Sequence, residues 1–216
     1  MPLPYIFKKE NMKKKKLIII GGGGHAKVVI DACLAGGEYD LHGIIDQKLE
    51  VGTKVLGVPG LGTDSILAEL FKQGIKLAFI GVGSIGNCDV RRSIYEKLKS
   101  IGFDLPVIIH PKAVIARDVE FGEGTFVAAS ATINPGTKVG KSVIINTSAS
   151  VDHDCNIGDY VHIAPGAVLC GTVSVGEGTH IGLAANIVQS VKIGKNCFVP
   201  AGILVKNDQA DGTKCE

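Results

Sequence analysis

The 216-residue chain has no tryptophan, two methionines and four tyrosines, and aromatic residues make up only 5% of it. A core built on large aromatic side chains is therefore excluded, and whatever is buried must be filled by aliphatic residues. Charge of one sign is not in excess either. The 23 basic and 21 acidic residues leave a net charge of +2, which gives no reason to expect nucleic acid as a partner. The six cysteines (Cys33, Cys88, Cys155, Cys170, Cys197, Cys215) include no CxxC pair, so neither a zinc ribbon nor a secreted disulfide framework is expected, and most should be small apolar fillers. The apolar run LIII near the N-terminus covers only 17–20, too short for a signal-peptide core or a membrane span. The chain reads as a cytoplasmic protein without stable membrane insertion. Its lysine-rich stretch KKENMKKKK (8–16) belongs to a basic, solvated leader over residues 1–15, in which Met12 is an alternative start.

Glycine is abundant, with 29 residues, and two halves use it differently. In the first, strands are predicted at 17–21, 41–46 and 76–83, and helices at 25–37, 63–74 (capped at its start) and 89–102. This is a small parallel α/β unit of about three strands, half of a dinucleotide fold, spanning 16–106. In the second half every sixth residue from Ile109 to Val205 is apolar, seventeen in succession. At 45% hydrophobic content this has a chance of about one in a million, so the segment is a hexapeptide repeat. Gly122, Gly140, Gly158, Gly176 and Gly194 recur every 18 residues, so three hexapeptides make one coil. The spine residue points inward, and the residue four later is small (Thr125, Ala131, Ala149, Ala167, Ala185), as a narrow interior requires. A parallel β-solenoid of roughly five coils, with rungs about 4.8 Å apart, should occupy 107–206, followed by a polar tail, 207–216.

The stretch IIIGGGGHAKVV is a strand, a glycine turn and a helix start. Gly21-x-Gly23-x-x-Ala26 with Asp46 ending the next strand satisfies a loose dinucleotide fingerprint, so an NAD site is one reading. The backbone N–H groups there can hold any phosphate. The alternative is that the glycines only make a tight turn. GVGSIGN (81–87) ends the third strand on the same side and is placed to close a pocket.

In the solenoid, His153 and His162 fall at non-spine positions and should face outward. An outward histidine can be an idle surface residue. His153, however, lies between Asp152 and Asp154, and a carboxylate can hold one ring tautomer and stabilise imidazolium, which suits a general base. Metal binding by His153, Asp154, Cys155 and His162 is disfavoured, because Cys155 falls at an inward position.

Together, GGGGHAKVVID, HPKAVIA and IINTSASVDHDCNIGDYVHIAPGAVLCG resemble the left-handed β-helix, hexapeptide-repeat sugar acetyltransferases. The resemblance is to the bacterial enzymes that N-acetylate nucleotide-linked 4-amino sugars and to the related sialic acid O-acetyltransferases, and it runs from Lys16 to Lys206. It implies an α/β Rossmann-like domain followed by a left-handed parallel β-helix, and an acetyl-CoA-dependent N-acetyltransferase acting on a nucleotide-activated 4-amino-4,6-dideoxy sugar for bacterial glycans. Sialic acid O-acetylation and a non-catalytic trimeric scaffold or NAD-binding sensor are the rivals. The implied roles are His153 as base, Asp154 as its support with Asp152 in reserve, Asn146 as a polar site residue and the Gly171 N–H as oxyanion donor. His162, His180, Gly171, Leu183 and Ala201 would meet acetyl-CoA. Gly22, Gly23, Gly24, His25, Lys27 and Asp46 would hold the nucleotide sugar. No metal is implied. Family members place the site between subunits of a homotrimer, for which the outward small and aliphatic residues Val168, Ala184 and Ile203 are suited.

Overall fold

A computed structural model describes residues 14–215; most of the basic leader, Met12 included, lies outside the described residues. The leader's last lysine is already structural, because β1 spans Lys15–Ile20. It is followed by α1 (Gly24–Gly36), β2 (Tyr39–Ile45), β3 (Lys54–Val55), β4 (Val58–Gly62), α2 (Leu67–Lys72), β5 (Leu77–Ile80) and α3 (Asp89–Ile101). The sheet order is β3-β4-β2-β1-β5, with β1, β2, β4 and β5 mutually parallel and β3 antiparallel to β4.

Two expectations need correction here. The sheet has five strands, not three, because the glycine-rich VGTKVLGVPGLG segment folds as an edge hairpin whose Pro59 pairs with Lys54. An edge strand of this composition has no period-2 alternation to betray it. The helix expected over 63–74 is a 3-10 turn at Asp64–Ile66 followed by the six residues of α2, and the Thr63 hydroxyl meets Ser65 rather than capping a backbone N–H.

From Ile108–Ile109 to Leu204–Val205 the described chain forms seventeen two-residue strands. They stack with an 18-residue register into three parallel sheets, as in Ile144↔His162↔His180↔Phe198. Except for Ile109 of the first strand, which is exposed, the second residue of each strand joins one continuous core, together with the small residues Ala131, Ala149, Ala167 and Ala185. The first residue faces out, and the three outward columns differ. One carries Glu120, Lys138, Asn156, Ser174 and Lys192, and is polar. The second mixes apolar and polar residues, Val114, Thr132, Ser150, Val168, Asn186 and Leu204, of which the three apolar ones are exposed. The third carries Ile108, Phe126, Ile144, His162 and His180, all buried although they point away from the solenoid axis. Corner residues such as Ser142, Asp154 and Tyr160 take left-handed backbone conformations (φ 51, 57 and 58°), a cost of roughly 1–2 kcal/mol per residue that the inter-coil hydrogen bonds offset.

The third column is buried because the α/β unit sits on it. Leu17, Ile19 and α1 share a core with Ile108, Phe126 and Ile144, while Ile18, Ile20, α2 and α3 share one with Tyr160. At the far end the polar tail does not run free. Gln209 N–H donates to Lys192 O, Cys215 N–H to Phe198 O, and the Cys197 thiol to Ala210 O, so residues 209–215 form a partial further coil. Ile203, expected on an outer face, packs against the core instead, because it holds the inward small position of its hexapeptide.

Arg91 of α3 joins the two halves. It is 1% exposed, and its guanidinium donates to Ser142 O, Tyr160 O and the Ser84 hydroxyl. Burial pulls its pKa down to about 10, with Cys88 and Tyr160 opposing, so it stays charged at neutral pH. Hydrogen bonds from a charged donor contribute about 1.5–3 kcal/mol each. Arg91→Leu should therefore lower stability by about 3 kcal/mol or more, measured by urea denaturation. An unchanged midpoint would mean that the clamp contributes nothing.

Candidate active site

The glycine turn after β1 sorts its residues by role. At Gly21 (φ +99°) an added Cβ would lie 2.6 Å from Val82, so the turn itself requires glycine. Gly22 N–H donates to Asp46 Oδ2 at 2.7 Å. At Gly23 and Gly24 a Cβ would meet nothing within 4 Å. These two open onto a cavity of about 570 Å3 also lined by His25, Asp46, Lys48 and Gly83. Asp46 Oδ1 accepts Lys48 and Leu49 N–H at 2.7 and 3.0 Å. Desolvation raises the Asp46 pKa, but these N–H donors, Gly22 and the Lys48 charge outweigh it and hold the group below the usual carboxylate range. A carboxylate occupied by three backbone donors chiefly shapes the loop, and is less free to grip a ribose than the dinucleotide reading requires. Lys27 is exposed on α1 and lines neither this cavity nor the next, whereas Lys48, which sequence reasoning did not single out, lines this one.

A second cavity, about 550 Å3, shares Gly24, His25 and Gly83 with the first and reaches Asn146 and His162 on the solenoid. His25 stands at the junction, its ring edge-on to Phe126 with centroids 5.4 Å apart and its Nε2 buried without a partner among the described residues. Desolvation, then the Arg91 charge, lowers its pKa to about 4, so it is neutral at physiological pH. Both His162 and His180 were expected on an outward face. They do point outward, but the α/β unit covers them. His162 Nδ1–H donates to Ser84 O at 2.6 Å, which leaves Nε2 as an acceptor for the Asn146 amide at 3.2 Å. Burial drives the His162 pKa down to about 3 against the opposing Ser84 bond, with His180, Arg91 and His25 adding to the drop. The His180 ring is edge-on to His162 at 4.9 Å and stacked on Phe198 at 5.3 Å. It makes a packed ladder under the 83–88 loop rather than an open path. Leu183 and Ala201 are exposed and 18 residues apart, on the solenoid edge that also carries Asn146.

His153 belongs to a different edge. It sits in the turn between the strands Ser150–Val151 and Asn156–Ile157, with its side chain half-exposed. Its Nδ1 lies 2.8 Å from Asp154 Oδ2. The left-handed backbone at Asp154 turns that carboxylate back on the ring, and Gly136 leaves room where any Cβ would strike Asp154. Asp152 is used otherwise: its Oδ1 accepts the Asn134 amide and the His153 N–H, both at 2.8 Å. The choice of carboxylate that sequence left open falls on Asp154. With Nδ1–H donated, Nε2 keeps its lone pair and faces Gly171, where an added Cβ would be 2.5 Å from Nε2. The Gly171 N–H has no acceptor among the described residues. The Asp154 hydrogen bond raises the His153 pKa, with partial desolvation opposing and the charges of Asp152 and Asp154 adding. Cys155 points inward, its thiol on Cys170 O, and no group of three potential metal ligands occurs among the described residues.

Several proteins of known structure resemble the chain over nearly its whole length. A histidine-to-asparagine variant of perosamine N-acetyltransferase from Caulobacter crescentus, solved with CoA and GDP-perosamine, is 40% identical over 91% of this chain and 90% of its own, with a TM-score of 0.86. The chain belongs to the left-handed β-helix sugar acetyltransferases. A second member of this acetyltransferase family, the acetyltransferase domain of PglB from Neisseria gonorrhoeae FA1090 in complex with acetyl coenzyme A, is 36% identical over 93% and 95% of the two chains, TM-score 0.84. WeeI from Acinetobacter baumannii AYE, at 24% identity and TM-score 0.76, shares the fold. Residues 16–98 match the PglD N-terminal domain family, and 136–171 the bacterial transferase hexapeptide (six repeats) family. Among curated protein sequences no match was found. Membership removes the scaffold and NAD-sensor readings and gives the expected architecture, a Rossmann-like unit followed by a left-handed β-helix.

Because Asp154 supplies the larger support, Asp154→Asn should lower the His153 pKa clearly and Asp152→Asn only slightly. Titration of the His153 ring by NMR reads this directly, and a larger drop in the Asp152 variant would reverse the assignment.

Proposed function

We propose that the protein transfers the acetyl group of acetyl-CoA to the amine of a nucleotide-linked 4-amino-4,6-dideoxy sugar, in bacterial glycan synthesis. The observation that carries this is the His153 ring, with Nδ1 anchored on Asp154 and Nε2 free beside the open Gly171 N–H. The amine nitrogen attacks the thioester carbonyl carbon, and Nε2 of His153 takes its proton. The oxyanion is stabilised by the Gly171 N–H. As the C–S bond breaks, the proton passes to the departing CoA sulfur. His162 and Asn146 orient the acetyl group and amine, and neutrality suits His162 to that role. Leu183 and Ala201, exposed on the edge that carries Asn146, flank the CoA arm, while His180, covered by the α/β unit, only supports His162 from behind. Gly23, Gly24, His25 and Asp46 form the sugar-nucleotide cradle, where N–H groups at the start of α1 meet phosphate, whereas Gly22, its N–H taken by Asp46, shapes the turn. Lys27 would act only at longer range. The N-acetyltransferase relatives favour the amine over the hydroxyl of sialic acid.

The working unit is a homotrimer. His153 and Gly171 lie on one edge of the sheet carrying Val114, Val168 and Leu204, and Asn146, Leu183 and Ala201 on its other edge. Around a three-fold axis the first edge of one subunit meets the second edge of the next, and the exposed Val114, Val168 and Leu204 between them are covered. Six free cysteines fit a reducing, cytoplasmic location.

His153→Ala should lower kcat by about 10²–10⁴, the usual worth of general base catalysis, while acetyl-CoA binding survives. Mixing inactive His153→Ala and Asn146→Ala proteins after partial denaturation should restore activity in mixed trimers. A monomer in sedimentation, or near-normal kcat in folded His153→Ala, removes this reading. In Asp154→Asn the acidic limb of the pH–rate profile should move to lower pH, because the base must be neutral and loses the partner that favours its protonated form. Gly23→Val should raise the sugar-nucleotide KM and leave that of acetyl-CoA nearly unchanged, because its side chain would project into the 570 Å3 cavity and not into the fold. The converse pattern in initial-rate kinetics would misplace the sugar nucleotide.

A further inference from the structure

Charge is balanced over the whole chain but not evenly placed. Residues 1–16 hold six lysines against one glutamate, which leaves 17 basic and 20 acidic residues in the other 200. The described part of this basic run leads into β1, where Lys14, Lys15 and Lys16 are all exposed. Lysine is a poor strand former, and the burial of β1 begins only at Leu17, so the fold makes no demand for lysine here. The three residues line an open hollow of about 750 Å3 together with Asp40, Gln73 and Lys76. Lys72, the last residue of α2, is exposed one position before Gln73. Little opposes this charge. Glu38 pairs with Lys15 at 3.3 Å, Asp40 stands beside Lys16 in the β1–β2 register, and Lys76 donates to Phe71 O and lies over its ring. Among the described residues no carboxylate forms an ion pair with Lys14, Lys16, Lys72 or Lys76.

We infer that this end of the α/β unit docks reversibly on the surface of an anionic phospholipid bilayer. The inference goes beyond acetyl transfer and does not depend on it. Two observations favour a bilayer over a soluble polyanion. The lysines lie at the N-terminal end of a parallel sheet, whose opposite end carries the glycine turn and the 570 Å3 cavity. β1 sets the two ends about 20 Å apart. A flat layer of phosphate groups can therefore meet the lysines while the cavity stays open on the far side. The rest of the chain is net acidic and is repelled by such a layer, so the field orients the molecule the same way. The second observation is in the sequence. Leu3, Tyr5, Ile6 and Phe7 come immediately before Lys8 and Lys9. Peripheral membrane binding grows with buried apolar area and with attraction to anionic lipid, and this stretch supplies both, whereas a soluble polyanion makes no use of aliphatic side chains. No helix among the described residues is long and apolar enough to cross a membrane, and surface docking requires none.

The test sediments the whole chain with vesicles of phosphatidylcholine alone and with vesicles that also contain phosphatidylglycerol. Binding should require the anionic lipid and weaken as salt rises. A lysine at such a surface strengthens binding about five-fold. Lys14→Gln combined with Lys16→Gln should therefore weaken it by about 25-fold with an unchanged thermal midpoint, and Lys14→Arg with Lys16→Arg should retain it. Ile6→Ser combined with Phe7→Ser should weaken it as well. No binding to anionic vesicles, equal binding to neutral ones, or undiminished binding in the glutamine or the serine variant overturns the docking. Binding to RNA as tight as to vesicles at the same salt would mark a general polyanion patch and also overturns it. Kinetics in solution test acetyl transfer separately, so either reading can fail while the other stands.

Discussion

The Arg91 guanidinium lies where two folding patterns meet, and no carboxylate among the described residues neutralises it. Its hydrogen-bond partners on the solenoid are the carbonyls of Ser142 and Tyr160, corner residues of successive coils. Those carbonyls are 18 residues apart, so the spacing of the solenoid dictates where the guanidinium can dock. The third partner, the Ser84 hydroxyl, ties the loop after β5 to the same cation, and the Ser84 carbonyl then fixes His162. One buried charge thereby sets the α/β unit on the solenoid, the loop on the unit, and an imidazole on the loop. A buried cation is costly unless every donor finds an acceptor. That demand makes the docking specific, where a purely aliphatic contact among Ile108, Phe126 and Ile144 would allow sliding.

The same docking divides the work between histidines. Under the α/β unit His162 is desolvated, with its tautomer dictated by a carbonyl, and it cannot take up a proton near neutral pH. His153, on an uncovered corner, keeps solvent contact and gains a carboxylate. Identical side chains are driven in opposite directions by burial and by an anionic partner. A base must exchange protons and a positioning group must not, and the two positions meet those separate needs.

The solenoid was almost wholly legible in sequence, because its physics is one-dimensional: a residue's environment follows from its place in an 18-residue count. The stacking of His162, His180 and Phe198 and the meeting of His153 with Gly171 follow from the same count. What the count cannot give is what covers an outer face. His162 and His180 read as outward residues, and their burial comes from a contact between halves that no periodicity encodes. Arg91 was overlooked for a like reason, since within α3 it is one of an Arg-Arg pair and only the docked partner distinguishes it. The β3–β4 hairpin escaped because glycine and proline mask short edge strands. The choice between Asp152 and Asp154 depends on the corner backbone: Asp154 is left-handed, and Asp152 is bound by Asn134 one coil below.

Precision at the proposed base comes from the ladder rather than from any cleft. Thr172 N–H donates to His153 O and Asp154 N–H to Pro135 O, at 2.8 and 2.9 Å, so the corner is held from the coils on both sides. Gly171 is therefore one rung, about 4.8 Å, from His153 by construction, and the imidazole reaches across that gap to bring Nε2 within 2.5 Å of where a Gly171 Cβ would stand. The left-handed strain at Asp154 is repaid here, since a right-handed turn would send its carboxylate away from Nδ1. A solenoid of small aliphatic residues has no room for an internal pocket. Its chemistry has to be carried on corners, and corners become enclosed only where another surface arrives, which is the physical reason a site of this kind is completed by a neighbouring domain or subunit.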